Sequence, residues 1–167
     1  MRSRALAFLM VAVLGGVFTL SCGSTPTEPA PRDPLALTGQ ISSASIQPGG
    51  TAVGTFSLTN VSTLAVIVGF PSSCHVLPYV RERQTQSLVH PSGAYGCAAV
   101  VTTVTLEPGQ SIGHTLQIVS TGRGVTSAIA SIVDLLPGDY NVYAEVDGTV
   151  DGRPFSLRSS ALQFSVQ

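Results

Sequence analysis

The sequence predicts an all-β protein, an antiparallel β-sandwich of eight or nine strands, on three observations. Val, Thr, Ser and Gly are abundant, a composition that suits strands and turns better than helices. From Leu35 onward, short runs with period-two alternation are cut at near-regular spacing by Pro-Gly, Gly-Gly and Asp-Gly turns. No long stretch carries the 3.6-residue periodicity of an amphipathic helix, and no repeat of solenoid type is present. Charged residues make up only 10% of the chain, against roughly 25% in ordinary soluble domains. The surface must therefore be covered by Ser, Thr, Gly, Gln and Asn.

The chain opens with a targeting segment, residues 1–21. Arg2 and Arg4 form a short positive region, and Ala5 to Leu20 is an uncharged apolar run of 16 residues. That is shorter than the about 20 residues of a membrane span and suits the core of a signal peptide. The run ends Val17-Phe18-Thr19-Leu20-Ser21-Cys22, which resembles a bacterial lipoprotein signal. The resemblance implies cleavage before Cys22 and a diacylglycerol on its thiol. An ordinary secretory signal cut nearby would instead leave Cys22 a thiol. The expected location is outside the cytoplasm, lipid-anchored, with Gly23 after the cysteine leaning toward the outer membrane. Residues 22–34 follow as a linker; four prolines and few apolar groups between Gly23 and Pro34 cannot build a core. These 12 residues reach at most about 37 Å in polyproline II.

The remaining residues, 35–167, form the expected domain. Leu37 to Ile46 is a weak first strand closed by Gln47-Pro48-Gly49-Gly50. In Thr51 to Asn60, Ala52, Gly54, Phe56 and Leu58 fall on one face, and Val53, Thr55, Ser57 and Thr59 on the other. Leu64 to Phe70 is continuously apolar and predicts a central strand covered on both faces. His75 to Arg83 and Gln86 to Val89 predict a hairpin, with Arg81-Glu82-Arg83 as a solvated edge. Cys97 to Leu106 and Ser111 to Val119 are strands flanking Glu107-Pro108-Gly109-Gln110; Ile112, His114, Leu116 and Ile118 share one side. Ser120 to Asp134 predicts a loop, with room for one helical turn. Tyr140 to Asp147 alternates again, and Asp147-Gly148 and Asp151-Gly152 are hairpin signals. Phe155 to Arg158 and Ala161 to Val166 supply the closing strand.

Charge and cysteines narrow the function. The 8 arginines and 9 acids give a net charge of −1; without Arg2 and Arg4 the mature chain stands near −3. This balance offers no basic patch for nucleic acid. With Cys22 spoken for by lipid, Cys74 and Cys97 remain as a pair in an oxidising compartment, which invites a disulfide. Two free thiols are the alternative. A metal site would need more ligands, and His75, His90 and His114 form no recognised spacing with the cysteines.

Four segments carry a resemblance to a known family. They are Phe56 to Ser62, Val66 to Ser73, Leu106 to Ser111 and Leu136 to Ala144. Lined up, they resemble immunoglobulin-like sandwiches, and among these the bacterial intracellular proteinase inhibitor family. The resemblance implies an immunoglobulin-like fold and, as a lesser expectation, protease inhibition. This chain departs from that family in having no tryptophan and in carrying a signal peptide.

No enzyme is expected. There is no Gly-x-Ser-x-Gly elbow, no phosphate-binding glycine loop between a strand and a helix, and no dense carboxylate cluster. Asp147 and Asp151 fall where turn chemistry explains them. No cofactor or metal is implied. The expectation is a membrane-tethered binding or structural module of the cell envelope, with a protein or glycan partner. Its candidate partner surface is the excursion between Cys74 and Cys97, with Tyr79, Arg81, Arg83, His90 and Tyr95; aromatic and arginine side chains are favoured at interfaces. The inhibitor alternative offers Arg123, on the loop Ser120 to Val125.

Overall fold

The computed structural model describes residues 33–91, 95–121 and 131–167. The described chain is all β: two sheets face each other across a shared core. The first has the order β1 (Leu35–Ile41), β3 (Thr51–Asn60), β8 (Ser111–Val119) and β9 (Ile132–Asp134). The second is built on β10 (Gly138–Val150). On one edge β10 pairs with β11 (Arg153–Arg158) and β12 (Leu162–Val166); on the other it pairs with β5 (Leu77–Glu82) and β4 (Val66–Phe70). Outside these lie β2 (Ser45–Ile46) on β12, β6 (Leu88–His90) on β5 and β7 (Thr102–Leu106) on β4.

The topology is immunoglobulin-like. Strands β1, β3 and β8 take the places of A, B and E; β4, β10 and the β11–β12 run take those of C, F and G. The hairpin β5–β6 is an addition between β4 and β7, and it is the excursion bounded by Cys74 and Cys97.

Alternation sets the core. In β3 the face of Ala52, Gly54, Phe56 and Leu58 is the buried one, and in β8 Leu116 and Ile118 meet it from the next strand. The second sheet contributes Val66, Val68, Phe70, Val142, Ala144, Val146 and Phe164. Each such large side chain, taken fully from water, stabilises by roughly 2 kcal/mol. Asn60 is one of the buried polar residues, with no exposed surface. Its Nδ2 donates to the carbonyls of Leu64 and Leu106 at 2.7 and 2.8 Å, and its Oδ1 accepts from the Ser62 backbone at 2.9 Å. A fully bonded amide is tolerated in the core, and this one ties together the ends of β3 and β7.

Several expected elements differ. The first strand divides: β1 lies in one sheet and β2 crosses to the other, because Ser42 to Ala44 carry the chain between them. The apolar run at β4 is covered on one face only; Val66, Val68 and Phe70 point inward while Ile67 is 56% exposed. Arg81 and Glu82 are not at an edge, since β5 has β10 on one side and β6 on the other. The strand predicted from Cys97 begins only at Thr102. Within Ser120 to Asp134, residues 122–130 lie outside the described residues, but Ile132–Asp134 is a strand running parallel to β8. The closing run keeps its place on β10 with one extra residue: Arg158 faces Glu145 and Leu162 faces Val142.

Of the two Asp-Gly signals, one makes a turn. Asp151 and Gly152 have φ of 48° and 79°, and Val150 pairs with Arg153 across them, the two-residue hairpin such a pair favours. Asp147-Gly148 lies inside β10. Its glycine serves close approach: a Cβ on Gly148 would sit 2.4 Å from the Gly69 carbonyl oxygen of β4. Gly148→Ala is therefore expected to destabilise the domain by about 2 kcal/mol in urea unfolding. Gly96→Ala, which adds a methyl into open space, is expected to stay within about 0.5 kcal/mol of the parent. Equal stability of the two variants would contradict the close crossing of β4 and β10.

Candidate functional site

The excursion between β4 and β7 is held at its neck. Cys74 and Cys97 form a disulfide, with Cα atoms 5.5 Å apart. Beside it the Ser73 N–H donates to the Ala98 carbonyl at 3.0 Å, and the Ala98 N–H donates to Ser73 Oγ at 2.9 Å. His75 stacks on Phe70, ring centroids 4.2 Å apart, and its Nε2 lies 2.9 Å from Thr102 Oγ1. The clamp lies just beyond the last β4–β7 pair, Phe70 with Thr102. From there the chain enters β5, whose residues 77–82 pair with 145–140 of β10.

This register sets Tyr79 opposite Tyr143 and Arg81 opposite Asn141 on the outer face of the second sheet. The Tyr79 and Tyr143 rings stack with centroids 5.5 Å apart, and Tyr95 meets Tyr79 edge-on at 5.8 Å. His90, buried, meets Tyr95 edge-on from behind at 5.9 Å. The Tyr95 hydroxyl donates to the Pro78 carbonyl. Arg81 Nε donates to the Tyr143 hydroxyl at 2.9 Å, and its Nη1 donates to the Gln86 carbonyl at 2.8 Å. Arg158 lies over the other face of the cluster, its guanidinium carbon 4.0 Å from the Tyr143 ring centre, and pairs with Glu145 at 3.0 Å.

These side chains surround a cleft of about 400 Å³ lined by Arg81, Gln86, Asn141, Tyr143, Arg158 and Ser159, with Ala161 alongside. Ser159 and Ala161 belong to the extra-residue segment between β11 and β12. There Ser159 bonds twice to Ala144, its Oγ accepting from the Ala144 N–H at 3.0 Å and its N–H donating to the Ala144 carbonyl at 2.9 Å. A bulge of this kind bends a strand and re-aims its side chains. Here its residues Ser159 and Ala161 line the cleft together with Asn141.

Electrostatics follow from burial and the few charges present. Burial pushes the Tyr95 hydroxyl up strongly, with smaller contributions from Tyr79 and Tyr143. Tyr79 is raised first by burial and then by the Glu145 carboxylate. Arg81 is held charged by its bond to the Tyr143 hydroxyl. Tyr79 and Tyr95 are therefore neutral at physiological pH.

The structure brings Tyr79, Arg81, His90 and Tyr95 into one cluster. Arg83 does not join it; its side chain is exposed at the β5–β6 turn, and its backbone N–H donates to the Asp139 carbonyl. Cys22 and Arg123 lie outside the described residues. Sequence reasoning missed Asn141, Tyr143 and Arg158. The alternation of β10 put Asn141 and Tyr143 on the outward face, but their partners are set by pairing across distant strands. Among the described residues no three His, Cys, Asp or Glu side chains gather as metal ligands. A second depression, of about 520 Å³, is mostly apolar and lies beside Phe70, Val101, Pro154 and Phe155.

No protein-family model matches the chain. Nor does any curated protein. Solved structures match the chain at low similarity. A β-glucosidase of Erythrobacter marinus is 16% identical, with a TM-score of 0.38, over 75% of this chain and 15% of that one; the chain thus spans a small part of the enzyme's length. A PapD-like domain of human CEP192 is 19% identical, with a TM-score of 0.36, over 87% of this chain and 94% of that one. The CARDB domain of the PF1109 protein of Pyrococcus furiosus, in complex with di-metal ions, is 16% identical, with a TM-score of 0.38, over 80% and 89%. The ligands and activities in those descriptions belong to those proteins.

Two outcomes follow. Replacing Cys74 and Cys97 by serine is expected to lower stability by about 3 kcal/mol, the chain-entropy effect of closing this loop; an unchanged urea midpoint would mean the neck holds without the bond. The second concerns pH. Tyr95 has a folded pKa above its ordinary 10.0, so its stabilising contribution is complete below pH about 10 and falls as pH rises through the unfolded value toward the folded one. Tyr95→Phe is expected to flatten the alkaline limb of the stability profile, measured by denaturation between pH 8 and 11. Parallel profiles for the two proteins would refute the assignment.

Proposed function

We propose that the protein is a lipid-tethered, non-enzymatic binding module of the cell envelope, and that it holds a glycan in the cleft between Arg81 and Arg158. The observation that carries this reading is the convergence of planar polar side chains from separate segments, Arg81, Asn141, Tyr143 and Arg158, on one cleft. Function is argued from such a site rather than from the sandwich, which hosts many activities. Guanidinium, amide and phenol groups are the donors and acceptors that suit a hydroxyl-rich ligand. A protein interface would want an apolar, desolvated centre, and among the described residues Ala161 is the lone aliphatic one lining the cleft. The cleft volume falls in the range of small-ligand sites. The tether rests on the lipoprotein-like segment ending at Cys22 and on the proline-rich residues after it.

The test uses the full-length protein in membranes of the producing cell. Immobilised envelope polysaccharide is expected to retain it, and the double variant Arg81→Ala, Arg158→Ala is expected to lose at least tenfold of that retention while keeping its unfolding midpoint within a few degrees. Cys22→Ser is expected to move the protein to the soluble fraction without changing retention. In-cell crosslinking to a single protein, with no glycan retained, would replace the glycan by a protein partner. Capture of a protease, with proteolysis slowed at stoichiometric amounts and restored by Arg123→Ala, would support the inhibitor reading instead.

A further inference from the structure

Resting on the glycan reading above, we infer that the cleft selects a carboxylate-bearing sugar, a uronic acid unit, and that Arg81 is the residue that reads the carboxylate. The two arginines of the cleft are differently engaged. Arg158 is committed, its Nη2 to Glu145 at 3.0 Å and its plane to the Tyr143 ring. Arg81 is positioned but not neutralised. Its Nε and Nη1 are used by the Tyr143 hydroxyl and the Gln86 carbonyl, and both acceptors are uncharged. Among the described residues no carboxylate forms a direct ion pair with Arg81, Glu145 acting on it only at longer range, and its Nη2 has no hydrogen-bond partner there, though Arg81 lines the cleft.

Two anchored nitrogens fix the plane of a guanidinium and spare it the rotamer entropy a ligand would otherwise have to overcome. What remains is a directed donor edge of the kind that takes a carboxylate. The Asn141 side chain on the cleft floor, without a hydrogen-bond partner among the described residues, adds a donor and an acceptor within the same cleft for the neighbouring sugar hydroxyls.

Charge sets the valence of the ligand. Arg81 and Arg158 against Glu145 leave one net positive charge at the cleft, complementary to a monoanion. The mature chain is acidic overall, near −3 without Arg2 and Arg4, and so repels a dense polyanion beyond that single contact. A polymer of spaced uronates satisfies both conditions, with one acid group in the cleft and neutral hydroxyls around it.

The experiment measures binding of full-length protein, in detergent, to oligosaccharides containing glucuronate or galacturonate and to their carboxyl-reduced counterparts. At least one acid oligosaccharide is expected to bind, with a loss of tenfold or more in its reduced form. Arg81→Gln is expected to lose the preference for the acid, the acid and reduced forms then binding alike. Asn141→Asp, which sets a negative charge on the cleft floor, is expected to weaken the acid more than the neutral form. Equal binding of acid and reduced forms would overturn this inference and leave the glycan reading standing. Binding of dextran sulfate but of no uronate would overturn the carboxylate assignment. Binding of no saccharide at all would overturn both.

Discussion

Strand β10 carries the constraint on which the rest depends. Its 13 residues cross the whole second sheet, and every backbone group along both edges needs a partner if it is to be buried. No single neighbour is long enough. On one edge the partner changes from β12 to β11, and on the other from β5 to β4. Each change of partner is a place where the sheet cannot be regular. At the first the extra residue appears and Ser159 supplies two bonds to Ala144; at the second the chain leaves for the disulfide-clamped excursion. The cleft lies beside the first of these irregularities and is walled by the product of the second. Satisfying the backbone of one long strand thus determines where side chains can converge.

The cluster on the outer face has a second cause in the scarcity of charge. With one residue in ten charged, most of the surface presents hydroxyls and amides. Where guanidinium groups do occur beside β10, they meet aromatic faces and neutral acceptors as well as a carboxylate. Stacking by Arg158 removes Tyr143 from water although the ring stands on the outer face; it is 4% exposed. An arginine can do this because its plane is weakly hydrated and its stem is apolar. The same environment keeps the neighbouring phenols protonated, so the region offers donors without adding charge.

Much of the sandwich was legible from alternation. The faces of β3 and β8 could be read residue by residue, since a strand with one buried side has no other way to hide Phe56 or Leu116. The closing run and the β5–β6 hairpin were legible from short strand-like runs set off by turn residues. The misread elements share a different cause. Apolar β4 looked covered on both faces, but Ile67 stands on the open side of a sheet whose outer surface is thinly polar. Asp147-Gly148 carries the letters of a turn, yet its glycine answers to the backbone of β4, a contact between residues almost 80 positions apart. The excursion was identified by its cysteines and its aromatic and arginine content. Half of the cleft lies on β10 and β11; alternation could place Asn141 and Tyr143 on one face, but only the pairing of distant strands brings them and Arg158 to Arg81.

The divided first strand has a mechanical meaning. Chain entering the domain at Leu35 first runs through the seven-residue ladder of β1 on β3, then crosses and grips β12 through the parallel pair of β2. Tension applied at this end is borne in series by both sheets before it reaches the core. Under such a load the β1–β3 ladder must open before the β2–β12 pair is pulled, so the first strand shields the second sheet.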